Sequence, residues 1–194
     1  MKKLLLIFFL FILNSSYAYS IQPDVFVQST VNRASEILSK NLTKEEKIKK
    51  LKLIAKETVD IRGVGFYSIG SVRKDLSKEE MNEYLVLFEE YFLKSFSSRL
   101  AEYSNPIINV DSKKKINENY TIVSSTLVAT DKRPEVKIDW RIYTKNKDQP
   151  LIRDLIIEGL SLARTQKEEF NSIIQSADGN IDVLLDNLRN FSNN

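Results

Sequence analysis

The hydrophobic period of the chain changes at Pro106, and that change constrains its architecture more than any single motif. Before the proline, apolar residues recur at spacings of three and four, which marks helices with one buried face. After it they alternate, which marks strands with one buried face, and from about Thr165 the helical spacing returns. Helices, then strands, then helices place the helical elements together on one face of an antiparallel sheet, an α+β fold.

The elements can be placed in more detail. Pro23 to Lys40 carries Val25, Phe26, Val31, Ala34, Ile37 and Leu38 at helical spacing. Thr43 with Glu46 forms a capping box that opens a second helix through Ile48, Leu51, Ile54 and Ala55. Ile61 to Val72 is apolar nearly all round and holds Gly63, Gly65 and Gly70. A phosphate-cradling loop would follow a strand and use tighter glycine spacing, so this segment predicts a short buried helix whose glycines permit close packing. Ser77 with Glu80 caps the longest helix, whose stripe includes Met81, Tyr84, Leu85, Phe88, Tyr91, Phe92, Phe96 and Leu100. Beyond Pro106 the alternation predicts a short strand at Ile107–Val110, a long one at Tyr120–Thr130, a third at Val136–Tyr143 and a fourth at Leu151–Glu158. Short loops between them predict an antiparallel meander of about four strands. Helices at Thr165–Ser176 and Ile181–Phe191 close the chain, with no repeat or linker between units.

The N-terminus is expected to be an address rather than part of the fold. Lys2 and Lys3 precede an unbroken apolar run of ten residues, Leu4 to Leu13, and then a small polar stretch with Ser16 and Ala18 placed for cleavage before Tyr19. Ten residues rise only about 15 Å as a helix, half of what a bilayer core requires. Residues 1–18 are therefore expected to be a signal peptide, and residues 19–194 a single exported domain without stable membrane insertion. Removing the two lysines of that leader brings the net charge of +3 close to zero. A near-neutral surface argues against nucleic acid as a partner, because phosphate-backbone binding needs a concentrated basic face. The dense basic stretch Lys44–Lys56 is interleaved with acids at helical spacing, as on a solvated helix face.

The chain contains no His and no Cys, which excludes Ser-His and Cys-His nucleophile pairs, thiolate chemistry, disulfides and zinc sites of the usual kind. The adjacent carboxylates Glu89/Glu90 and Glu168/Glu169 diverge by about 100° on helices and do not converge on one bond. Asp139, Asp154 and Glu158 lie on strands, where pairing with Arg or Lys accounts for them better than cation binding. Ser161, in Glu158-Gly-Leu-Ser-Leu, has the outline of a nucleophile turn, but a hydrolase built on it would need a Lys partner, and none stands at a telling spacing. No catalytic residue, metal or cofactor is expected.

What is left unassigned is a surplus of large apolar side chains on one long helix and a curved sheet. Sheets that curl around a helix leave room for apolar ligands. At about 0.8 kcal/mol per methylene, shielding two acyl chains of roughly 15 carbons favours binding by on the order of 20 kcal/mol before entropy and fit are subtracted.

Two stretches resemble a known family. Val59-Asp60-Ile61 leading to Ile69-Gly70, then Leu76-Ser77 before the helix bearing Phe88, Phe92, Phe96 and Leu100, is similar to the first half of the MlaC family, also called toluene-tolerance proteins. Val136 to Trp140, then Ile152-x-Asp154-Leu-Ile-Ile-Glu158-Gly159-Leu-Ser161-Leu162, then Gln166 and Phe170, resembles its C-terminal signature. The similarity spans roughly residues 23 to 190. Arg73 and Gln149-Pro150 stand where the family commonly has tryptophans, and Lys167 where it commonly has Arg.

The resemblance implies a soluble, periplasmic, monomeric carrier of glycerophospholipids with a cone-shaped, cystatin-like or nuclear transport factor 2-like fold. It implies an outer-membrane lipoprotein complex and an inner-membrane ABC-transporter complex as partners, and a role in outer-membrane lipid asymmetry. The acyl chains are then expected against Phe66, Ile69, Phe88, Phe92 and Phe96 on the helices and Val136, Ile138, Trp140 and Ile142 on the sheet, with Val123, Leu127 and Ile156 as further lining. Two other readings compete: an envelope protein-binding adaptor of the same fold with a filled core, and a hydrolase using Ser161.

Overall fold

A computed structural model describes residues 20–131 and 133–193; the expected leader at 1–18 lies outside them. The helices are α1 (Pro23–Ser39), α2 (Lys44–Thr58), α3 (Ile61–Ser68), α4 (Lys78–Leu100), α5 (Leu162–Ser176) and α6 (Asp182–Asn193), with a 3-10 turn at Val72–Lys74. The strands are β1 (Ile108–Asn117), β2 (Tyr120–Leu127), β3 (Val136–Tyr143), β4 (Leu151–Ile157) and β5 (Leu160–Ser161), antiparallel in the order β1-β2-β3-β4-β5. This is the expected α+β meander, with a two-residue fifth strand at its edge.

The helix starts follow the predicted chemistry. Thr43 and Ser77 each accept from the backbone N–H three residues on, while Glu46 and Glu80 accept from the cap residues' own N–H. α4 packs against α2, α3 and α6, and α5 packs against α3, α6, β4 and β5.

Two strands differ from expectation. β1 runs to Asn117 instead of ending at Val110, and from Asp111 onward it is exposed on both faces, so no alternation marks it. Its register comes from β2, and Lys113 reaches back to Asp24 and Gln22 at the start of α1. β2 stops at Leu127, short of Thr130.

β4 carries an irregularity that decides which side chains face the helices. Trp140 pairs with Leu155 and Arg141 with Asp154, but Ile142 pairs with Ile152, so Arg153 is an extra residue. A bulge of this kind shifts side-chain parity. Ile152 and Leu155, three apart, therefore share the helix-covered face, and Ile156 pairs with Asp139 on the other.

The β4–β5 connection explains the Asp154–Ser161 segment. Glu158 and Gly159 both have positive φ, 48° and 83°, the backbone of a tight hairpin turn that glycine tolerates best. Glu158 Oε1 accepts from the Lys137 N–H at 2.5 Å. Asp154, 5% exposed, accepts from Ser161 Oγ at 2.6 Å and from the Ala163 N–H at 3.0 Å, and Ser161 Oγ accepts from the Arg164 N–H. Both residues thus satisfy orphan donors at the start of α5.

Asp154→Ala removes two buried acceptors at once and should cost about 2–4 kcal/mol, against about 1 kcal/mol for Ser161→Ala. Urea denaturation midpoints of the two variants check the ranking.

Candidate functional site

α4 and α5 diverge over the sheet and leave a cleft of about 210 Å3. Its floor is Trp140 from β3 with Ile152 and Leu155 from β4, one wall is Phe88, Phe92 and Phe96 from α4, and the other is Leu162, Ala163 and Thr165 from α5. Ser95, Arg99, Gln166 and Glu169 stand among the lining as polar groups.

Helical spacing sets the aromatic wall. Residues 88, 92 and 96 fall one turn apart, so their rings form a ladder, with Phe88 and Phe92 centroids 6.2 Å apart and Phe92 and Phe96 stacked at 5.4 Å with planes 12° apart. Phe92 and Phe96 are half-buried, while Phe88 is fully buried and meets Phe170 of α5 edge-on at 6.1 Å. Trp140 is buried too; its indole N–H donates to Ser125 Oγ at 2.8 Å, so its polar edge is satisfied within the sheet. The Tyr91 hydroxyl bridges the two helices by donating to Gln166 Oε1 at 2.9 Å. Burial pushes the Tyr91 phenol above its ordinary pKa, against the opposing hydrogen bond with Gln166.

α3 is brought close to this wall by Gly65. A Cβ there would lie 2.9 Å from the Phe88 ring, and the Tyr84 hydroxyl donates to the Gly65 carbonyl at 2.9 Å. The glycine therefore sets the depth at which Phe88 sits.

Of the expected lining, the structure brings Phe88, Phe92, Phe96 and Trp140 together at the cleft. Ile69, Val123 and Ile142 are fully buried and Ile138 nearly so, all packed in the core behind it. Phe66, Leu127 and Val136 are half-buried against that core, with the Arg62 guanidinium over the Phe66 ring. Ile156 faces the opposite side of the sheet, because the bulge hands its place to Leu155. The space expected across the whole interior is thus confined to the α4–α5 cleft. Val59, Val64, Tyr91, Ile152, Leu155 and Leu162 line the cleft without being among the expected acyl-chain residues; Tyr91 stands on the α4 stripe, Val64 in the apolar Ile61–Val72 segment, and the other four in the two stretches that resemble the family.

Ser161 Oγ is engaged by Asp154 and the α5 backbone, with no Lys among its partners. Among the described residues no three His, Cys, Asp or Glu form a metal-binding group, and no helix is long and apolar enough to cross a membrane.

A family model, MlaC protein, matches residues 28–190. No curated protein matches the chain. Among solved structures, the phospholipid-binding protein from Ralstonia solanacearum, determined in complex with a phospholipid, is similar in fold with a TM-score of 0.74 at 17% identity. The match covers 89% of this chain and 97% of that one.

Gly65→Ala should force the Phe88 ring aside and cost about 1–3 kcal/mol. Phe88→Leu in the same chain should recover part of that loss, and a denaturation double-mutant cycle measures the coupling.

Proposed function

The chain belongs to the MlaC protein family, and from that premise we propose that it carries glycerophospholipid, taking acyl chains into the cleft between α4 and α5. The observation that supports this most directly is the cleft itself, an apolar trough over Trp140 and Leu155 with a ladder of three phenylalanines on one side and polar groups among its lining. Such a trough shields hydrocarbon while leaving a charged head group in water. The phospholipid bound by the Ralstonia protein, which shares the fold, is consistent with this reading.

The cleft is smaller than the roughly 300–1,000 Å3 of pockets that enclose drug-sized ligands. Loading therefore widens it, by moving α5 away from the Phe92–Phe96 end of α4. That motion gives up the Tyr91–Gln166 hydrogen bond, worth about 1 kcal/mol, and leaves the α3–α4 packing at Gly65 intact. Under this proposal the protein is exported, binds and transfers lipid without catalysis, and moves it between an outer-membrane lipoprotein complex and an inner-membrane ABC-transporter complex.

The filled interior behind Trp140 favours a second reading, an envelope adaptor of the same fold that binds protein through a closed core.

Native mass spectrometry of protein purified without detergent tests both. The carrier reading expects co-purifying phospholipid from the wild type and its loss in Phe92→Asp, a half-buried position where the variant keeps its fold by circular dichroism. Wild-type protein free of lipid would favour the adaptor, and undiminished lipid in Phe92→Asp would remove this cleft as the site. Ile138→Asp is unsuited to the test, because Ile138 is 9% exposed within the core and its replacement by a charge should unfold the protein.

A further inference from the structure

A second cavity, of about 550 Å3, opens on the other face of the sheet. The register places Ile122 opposite Arg141 and Arg141 opposite Asp154, a row whose parity is opposite to that of Val123, Trp140 and Leu155. The cavity extends from this row to α3 and the 3-10 turn, and shares only Val64, Arg153, Asp154 and Ala163 with the apolar cleft.

Three guanidiniums line it, those of Arg73, Arg141 and Arg153, against one carboxylate, Asp154. Arg153 is held firmly: it donates to Asp60 and, at 2.6 Å, to the Tyr120 hydroxyl, with its guanidinium 3.6 Å from the Tyr143 ring centroid. Asp154 accepts from Ser161 and Ala163 and forms an ion pair with Arg141 at 3.7 Å, beyond hydrogen-bond range, so that among the described residues the Arg141 side chain makes no hydrogen bond. Arg73 has no ion pair or hydrogen bond among the described residues. The Tyr120 oxygen accepts from Arg153, which leaves its proton for an acceptor. Asp60 and Asp154 offset two of the three arginines, and the Lys167 ammonium, 5.1 Å from the centroid of the lining Tyr67 ring, adds a further positive charge nearby.

We propose that this cavity is a binding site for a phosphodiester monoanion. Guanidinium forks match the paired oxygens of a phosphate group. The apolar side chains of Tyr67, Ile116 and Ile122 in the same cavity suit the organic groups that flank a diester phosphorus. The diester comes either from the head group of a phospholipid or from a free small molecule, and its binding here does not depend on lipid carriage through the apolar cleft.

The test is isothermal titration calorimetry of the full mature chain, freed of lipid, with glycerophosphocholine as the diester probe and inorganic phosphate as the comparison. Dissociation constants on the order of a millimolar are expected for the diester, weakened about tenfold by Arg73→Gln. Arg73 is exposed and unpartnered, so this variant keeps its fold; Arg141→Gln provides a second, independent variant. Repeating the titration on phospholipid-loaded protein separates the two sources: lost binding identifies the seat of the carried head group, and retained binding identifies a site for a diester other than the cargo. Absence of diester binding, binding by both variants as tight as that of the unsubstituted chain, or tighter binding of inorganic phosphate would each overturn the proposal. Lipid retention in Phe92→Asp reads the apolar cleft and diester binding to lipid-free protein reads this cavity, so either can fail without the other.

Discussion

The extra residue in β4 governs how the two halves of the molecule meet. Without it, strict alternation would put Leu155 and Arg153 together on one face and Ile152, Asp154 and Ile156 on the other. With it, Ile152 and Leu155 both turn to the helices, Asp154 turns away to receive the start of α5, and Arg153 stands at the strand edge. There Arg153 meets Asp60, whose backbone N–H bonds Ile152 and whose carboxylate caps α3 through the Gly63 N–H at 2.9 Å. One bulge thus ties the last long strand to the junction of the second and third helices and divides the space beside it into two cavities.

The Asp60–Arg153 pair illustrates which electrostatic effects matter here. Its side chains are 17% and 28% exposed, so desolvation offsets much of their attraction and the net stabilisation of the pair is modest. Removing one partner is costlier than the pair is worth, because the other is left part-buried and uncompensated. The pairs of Lys56 with Glu89 and Lys113 with Asp24 are more exposed and contribute about 0–1 kcal/mol each. Position rather than energy is what Asp60 supplies: it fixes the Arg153 guanidinium and the entry angle of α3 together.

Much of this fold is legible in the sequence because its helix signals are local. Thr43/Glu46 and Ser77/Glu80 announce α2 and α4 through chemistry contained in four residues, and the alternation of Val136–Tyr143 gives both the type and the facing of β3. The failures share a cause of the opposite kind. The outer half of β1 is polar on both faces and is a strand only because β2 pairs with it. The choice of Ile156 over Leu155 follows from assuming unbroken alternation, and nothing local in Leu151–Ile157 reveals a bulge that is defined by register against β3. Ile69, Val123 and Ile142 look like lining because burial and cavity exposure demand the same residue types. Only the gap between α4 and α5, a tertiary quantity, separates Phe92 from them.

That gap also sets how a carrier of this shape would hold and release its cargo. Burial of hydrocarbon is non-directional and scales with area, so a phenylalanine ladder gives affinity without reading the ligand's identity. The helix α4 is anchored on three others and by Gly65 and Tyr84 to α3, whereas α5 meets it across the cleft through Tyr91, Gln166 and a few ring contacts. In the proposed carrier the free energy to widen the cleft would be drawn from that boundary, and the core behind Trp140 need not repack. Because α5 begins at the Asp154 cap, it is held at the start of the helix while the opposing helix stays fixed. A widening that keeps that cap leaves the β4–β5 hairpin unchanged. In the proposed carrier, the Arg153 wall, tied to Asp60 and Tyr120, would keep its place while the trough beside it changed width.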